Sequence, residues 1–99
     1  MNLSKHTIQE LRYKLDTAKD EVSLGCHDDD IWEVTVRDIE AVLANPTVAT
    51  LKANPEALVE LEDAVVILQD QYDVGDTKDR REIGKVLRAV EADLEQVNV

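Results

Sequence analysis

The chain has no phenylalanine, one tryptophan and two tyrosines in 99 residues, so any core it builds must be aliphatic. Three glycines and two prolines are too few for a sandwich or barrel, which needs a turn every few residues. A single cysteine, Cys26, excludes an internal disulfide and fits a reducing compartment. The longest apolar run, Ala64 to Leu68, is far short of a membrane span. The first residues also lack the apolar stretch that precedes a secretory cleavage site. The expectation is one cytoplasmic domain over residues 1–99, without a membrane partner.

Basic residues are scarce: 11 Lys and Arg stand against 22 Asp and Glu, a net charge of −11. The imbalance is local. Residues 20–76 hold fifteen acids against Arg37 and Lys52 alone, leaving −13, whereas 1–19 carry +2 and 77–99 are neutral. Such a field repels nucleic acid and anionic membranes and attracts basic surfaces.

What is abundant is Leu (11), Val (13) and Ile (5), arranged with helical period. Ile8, Leu11, Leu15, Ala18 and Val22 are spaced 3, 4, 3 and 4, which predicts a first helix starting near Ser4 or Thr7. Thr7 and Glu10 form a T-x-x-E capping box, and Gly25 is a natural stop. Asp28, Asp29 and Asp30 read as the start of a second helix running to Ala44. Its first turn is ambiguous, because Trp32, Val34 and Val36 alternate like a strand, with Thr35 a fallback cap. A lone strand has no partner elsewhere in the chain, so helix is expected. Asn45-Pro46 and Asn54-Pro55 mark two more starts, the first of a short helix from Pro46 to about Lys52. The second opens a long helix with Leu58, Leu61, Val65, Leu68 and Tyr72 on its seam, ended by Val74-Gly75-Asp76. Ile83, Leu87, Val90, Leu94 and Val97 give the last. The fold class is therefore all-α, a small antiparallel bundle of three long helices plus one or two shorter ones. Tyr72 is expected in the core and Tyr13 partly exposed.

Chemistry-bearing motifs are few. The three glycines, Gly25, Gly75 and Gly84, lie too far apart to cradle a phosphate. Cys26 adjoins His27, but sequence neighbours rarely face one another, and no orienting group is evident. Counted as a calcium loop from Asp28, the central glycine position is Glu33 and Trp32 stands at a ligand position, so the pattern fails. His6 and His27 have no partner four residues away for a zinc site. No catalytic residue, metal or cofactor is expected.

Asp29-Asp30-Ile31-Trp32-Glu33 and Glu60-Leu61-Glu62-Asp63 resemble the E-E-x-x-E and E-x-x-D pattern of all-helical nucleotide pyrophosphohydrolases of the MazG type. That resemblance implies Mg²⁺ held by facing carboxylates and a bound water attacking a phosphate. It covers nine residues, with Asp in place of the first two Glu, and two Asn-Pro breaks interrupt the intervening chain.

The residues themselves favour an acidic binding face. Glu56, Glu60 and Asp63 lie opposite the Leu58–Leu61–Val65 stripe, and Asp70 and Asp73 extend that side. With Asp28, Asp29, Asp30 and Glu33, and with Trp32 as an aromatic anchor, they form the expected partner-binding set. Asp38 and Glu40 add to the same field. Carboxylates spaced like phosphates can occupy the basic groove of a nucleic-acid-binding protein. In size and charge the chain is similar to short acidic inhibitors of phage or mobile-element origin. The expected function is a non-catalytic module that engages a basic partner and inhibits or regulates it. The alternative is a self-assembling homodimer. Lys78, Arg80, Arg81, Lys85 and Arg88 form a basic cluster, expected to pair with the acidic helices within or between chains rather than to bind nucleic acid directly.

Overall fold

The computed structural model describes residues 2–24 and 29–98, the side chains of 29–31 excepted. Among them are five helices and no strand: α1 (Lys5–Ser23), α2 (Asp29–Ala44), α3 (Val48–Ala53), α4 (Pro55–Val74) and α5 (Thr77–Val97). The all-α expectation holds. The second helix, at 16 residues, joins the long ones, so there are four long helices and a short α3 that packs against α2, α4 and α5. None is long and apolar enough to cross a membrane.

Successive helices fold back in two hairpins. In the first, Lys19 and Val22 of α1 face Glu33 and Val36 of α2. In the second, Tyr72 of α4 packs beside Arg80 and Gly84 of α5. The helices α1 and α4 touch each other and lie between α2 and α5, which make no mutual contact among the described residues. The result is a slab of 40 × 31 × 18 Å, about two helix diameters thick.

The core is aliphatic as the composition requires. Leu11, Ile39, Val42, Leu51, Leu61 and Val90 are fully buried, so α1 to α5 each contribute. The seams read from the sequence supply most of it. Ala18, Ala57 and Ala64 are also buried, and such short side chains let helices approach closely.

The start of α1 falls at Ser4, one of its two expected positions, with a distant carboxylate completing the bonding there. Ser4, not Thr7, is the N-cap of α1, its hydroxyl accepting from the Thr7 backbone N–H at 3.3 Å. The Thr7 hydroxyl instead donates to Asp93 on α5 at 2.5 Å, and Asp93 also accepts from the Ser4 N–H at 2.9 Å. The Thr7–Glu10 capping box is therefore not formed. Asp93 is only 9% exposed, a buried carboxylate at the positive end of α1.

The Asn45-Pro46 start is displaced by two residues. Pro46 stays outside the helix, its carbonyl accepting from the Leu3 N–H at 2.9 Å beside an isolated bridge between Asn2 and Thr47. The helix α3 begins only after Thr47, whose hydroxyl accepts from the Thr50 N–H at 3.1 Å. Asn54-Pro55 does open α4 with Pro in the first turn, but the Asn54 side chain makes no cap. It donates backward to the Thr50 carbonyl at 2.7 Å, and Asp38 of α2 accepts from the Glu56 N–H at 3.0 Å instead. Thr35 is no cap either; it is buried within α2. The Gly25 stop and Asp28 lie outside the described residues, as do the Asp29 and Asp30 side chains, so the capping cluster read there stays an expectation.

The α4–α5 turn follows the reading. Asp76 caps α5 by accepting from the Asp79 N–H at 3.0 Å. At Gly75 a Cβ would stand 2.9 Å from the Gln71 carbonyl oxygen, closer than side chains tolerate, which accounts for the glycine.

Candidate functional site on the outer face of α4

Helical geometry divides the acids of α4 into two groups. Glu56, Glu60, Asp63 and Asp70 follow one stripe, whereas Glu62 and Asp73 stand further round. The first group borders α1, where Lys14 reaches both Asp63 (2.7 Å) and Glu60 (3.8 Å). One ammonium thus offsets part of the row. Asp63, Asp70 and Asp73 are exposed, and Asp73 accepts from Gln69 at 3.2 Å. Glu56 and Glu60 are half-buried, and Asp38 is committed to the α4 cap.

Between the two acidic lines lie apolar side chains that belong to no seam. Val59 is 55% exposed and Val66 61% exposed, one above the other at a seven-residue interval. Asp63 and Asp70 run along one side of them, and Glu62 and Asp73 along the other. Ile67 is also exposed and shares a groove with Tyr13 of α1, itself exposed as expected. The available signal was surplus: Val59, Val66 and Ile67 are apolar positions that the Leu58–Leu61–Val65–Leu68 seam cannot absorb.

The α2 residues of the predicted set stand elsewhere. Trp32 is half-buried, neither fully core nor a free anchor. Glu33 is exposed in the depression shared with Lys19, Val22 and Val36, at the α1–α2 hairpin rather than in the α4 row. Among the described residues, no three His, Cys, Asp or Glu side chains converge in a way that could hold a metal ion. Glu60 and Asp63, the second half of the pyrophosphohydrolase-like pattern, face the Lys14 ammonium.

Within the chain, the basic cluster does not pair with the acidic helices among the described residues. Its one ion pair among the described residues is Lys85–Glu82 at 3.7 Å, within α5 itself. Arg80 donates to the Tyr72 and Asp73 carbonyls at 3.0 and 3.1 Å, closing the C-terminal end of α4, with its guanidinium 5.9 Å from the Tyr72 ring centre. Tyr72 is accordingly half-buried rather than core.

The structure defines the chain as an acidic all-α bundle. Comparison with family models, with curated proteins and with solved structures finds no match.

Proposed function

We propose that the chain is a non-catalytic binding module whose α4 face engages a basic surface on a partner protein, inhibiting or regulating a nucleic-acid-binding protein by occupying its groove. The observation that carries this reading is the pairing of Val59 and Val66, both more than half exposed, with carboxylates on either side. A face that serves only solubility has no use for valines at its centre, while an interface combines apolar anchors with a charged rim. From Glu56 to Asp70 the carboxylates extend over about 21 Å at the helical rise, the scale of a nucleic-acid groove contact. Burying this face against a second copy would bring like-charged rows together, so charge complementarity favours a basic partner over a homodimer.

The test is capture from host extract by three forms of the full chain: wild type, Val59→Ser/Val66→Ser, and Glu62→Gln/Asp63→Asn/Asp70→Asn. The expected result is a specific protein retained by the wild type, lost with either variant, and released both by salt and by added duplex DNA. Retention by both variants, or capture that neither salt nor DNA diminishes, overturns the reading. Self-association instead gives concentration-dependent sedimentation that is strengthened by salt.

A further inference from the structure

The α4–α5 hairpin carries an open depression of about 390 Å³ lined by Tyr72 and Gly84 and by Arg80, Arg81, Lys85 and Arg88. Four cations line it, and no carboxylate does. In a chain with twice as many acids as bases, internal pairing is the cheapest arrangement for a cation, yet Arg81 and Arg88 make no ion pair among the described residues. The pair that Lys85 makes with Glu82 is long and solvent-exposed, so it holds Lys85 weakly.

Three features shape the cleft. Arg81, Lys85 and Arg88 are spaced i, i+4 and i+7, a single stripe about 10 Å long. Arg80 is fixed as a wall by its bonds to two carbonyls at the end of α4. Gly84 lies against the tyrosine; an added Cβ would make ordinary contact, 3.4 Å from Tyr72 Cε2.

We propose that this cleft binds a small anion carrying two or more phosphoryl groups. Guanidinium groups match phosphoryl oxygens in forked geometry, and several are presented together. The volume is that of a small-ligand site. The stripe is long enough for a chain of two or three phosphoryl units. Asp73, Asp76 and Asp79 lie at the same end of the hairpin, and their field opposes an extended polyanion such as nucleic acid while leaving room for a compact one. This inference is independent of the acidic face of α4.

The experiment is calorimetric titration of the full chain with inorganic tripolyphosphate, and separately with ATP, in phosphate-free buffer of low ionic strength. Saturable one-to-one binding is expected, weakened on the order of tenfold in Arg81→Gln/Arg88→Gln and kept in Arg12→Gln/Lys19→Gln, which removes the same charge from α1. Equal affinity for the two probes identifies the phosphate chain as the whole ligand. Tighter binding of ATP that falls to the tripolyphosphate level in Tyr72→Leu identifies a nucleotide. The proposal is overturned by absence of saturable binding, by equal loss in both double variants, or by tighter binding of a single-stranded oligonucleotide than of tripolyphosphate.

Discussion

The Asp38 carboxylate on α2 accepts the backbone N–H of Glu56 at 3.0 Å and thereby caps α4 from outside it. Cap removal costs about 1 kcal/mol. Asp38→Ala should lower stability in urea unfolding by that amount and speed amide exchange in the first turn of α4. Asn54→Ala, although it alters the residue that precedes Pro55, should leave that turn's exchange unchanged, because the Asn54 side chain bonds backward to Thr50.

Asp93 holds the opening of α1 through two donors, the Ser4 N–H and the Thr7 hydroxyl. Asp93→Ala leaves the part-buried Ser4 N–H without its acceptor and the buried Thr7 hydroxyl with only the Ser4 hydroxyl, which should cost about 1–3 kcal/mol. Asp93→Asn keeps an acceptor and should cost less. Thr7→Val and Asp93→Ala break the same bond, so a double-mutant cycle by urea denaturation should show losses well below additive.

Gly84 sits inside a helix, where glycine is less favourable than alanine by about 0.5–1 kcal/mol. The nearest atom to an added Cβ is Tyr72 Cε2 at 3.4 Å, at the edge of ordinary contact. Gly84→Ala should therefore raise the thermal midpoint. Gly84→Leu should lower it by displacing the Tyr72 ring, and near-ultraviolet circular dichroism would register that displacement.

Burial in the α1–α4 groove pushes the Glu10 carboxyl above its usual value of 4.5, against the opposing pull of Lys14 and His6. A carboxyl raised in the folded state binds its proton more tightly there than in the unfolded chain. Its contribution to stability is therefore full below pH 4.5 and is lost as pH rises through the higher folded value. Glu10→Gln should be more stable than wild type at neutral pH, and the difference should vanish in acid. Urea unfolding at the two pH values checks the sign.

The helices were legible because their seams are local: Leu11, Leu61 and Val90 fall on a period that the chain itself displays. The capping was legible only where it too is local, as at Asp76. Asp38 and Asp93 act on amides 18 and 89 residues away, and no neighbouring sequence marks them. The acids of α4 were visible as a polar side, but a helical period picks out only the apolar residues that fit it. Val59 and Val66 mattered because they do not. The basic cluster of α5 was plain in the sequence. Its placement was not, since charge arithmetic alone sends cations toward the acids, and the hairpin geometry gathers them in a cleft of their own.

The bond between Ser4 and Asp93 also sets an order in time. A chain made from its N-terminus presents α1 and α2 to solvent long before α5 exists, at about 5–20 residues per second. Until residue 93 leaves the ribosome, the Ser4 amide lacks its protein acceptor and the first turn of α1 rests on the local Ser4–Thr7 bonds alone. The α1–α2 hairpin is thus made well before the carboxylate that completes its N-terminal bonding, and that closure waits for Asp93.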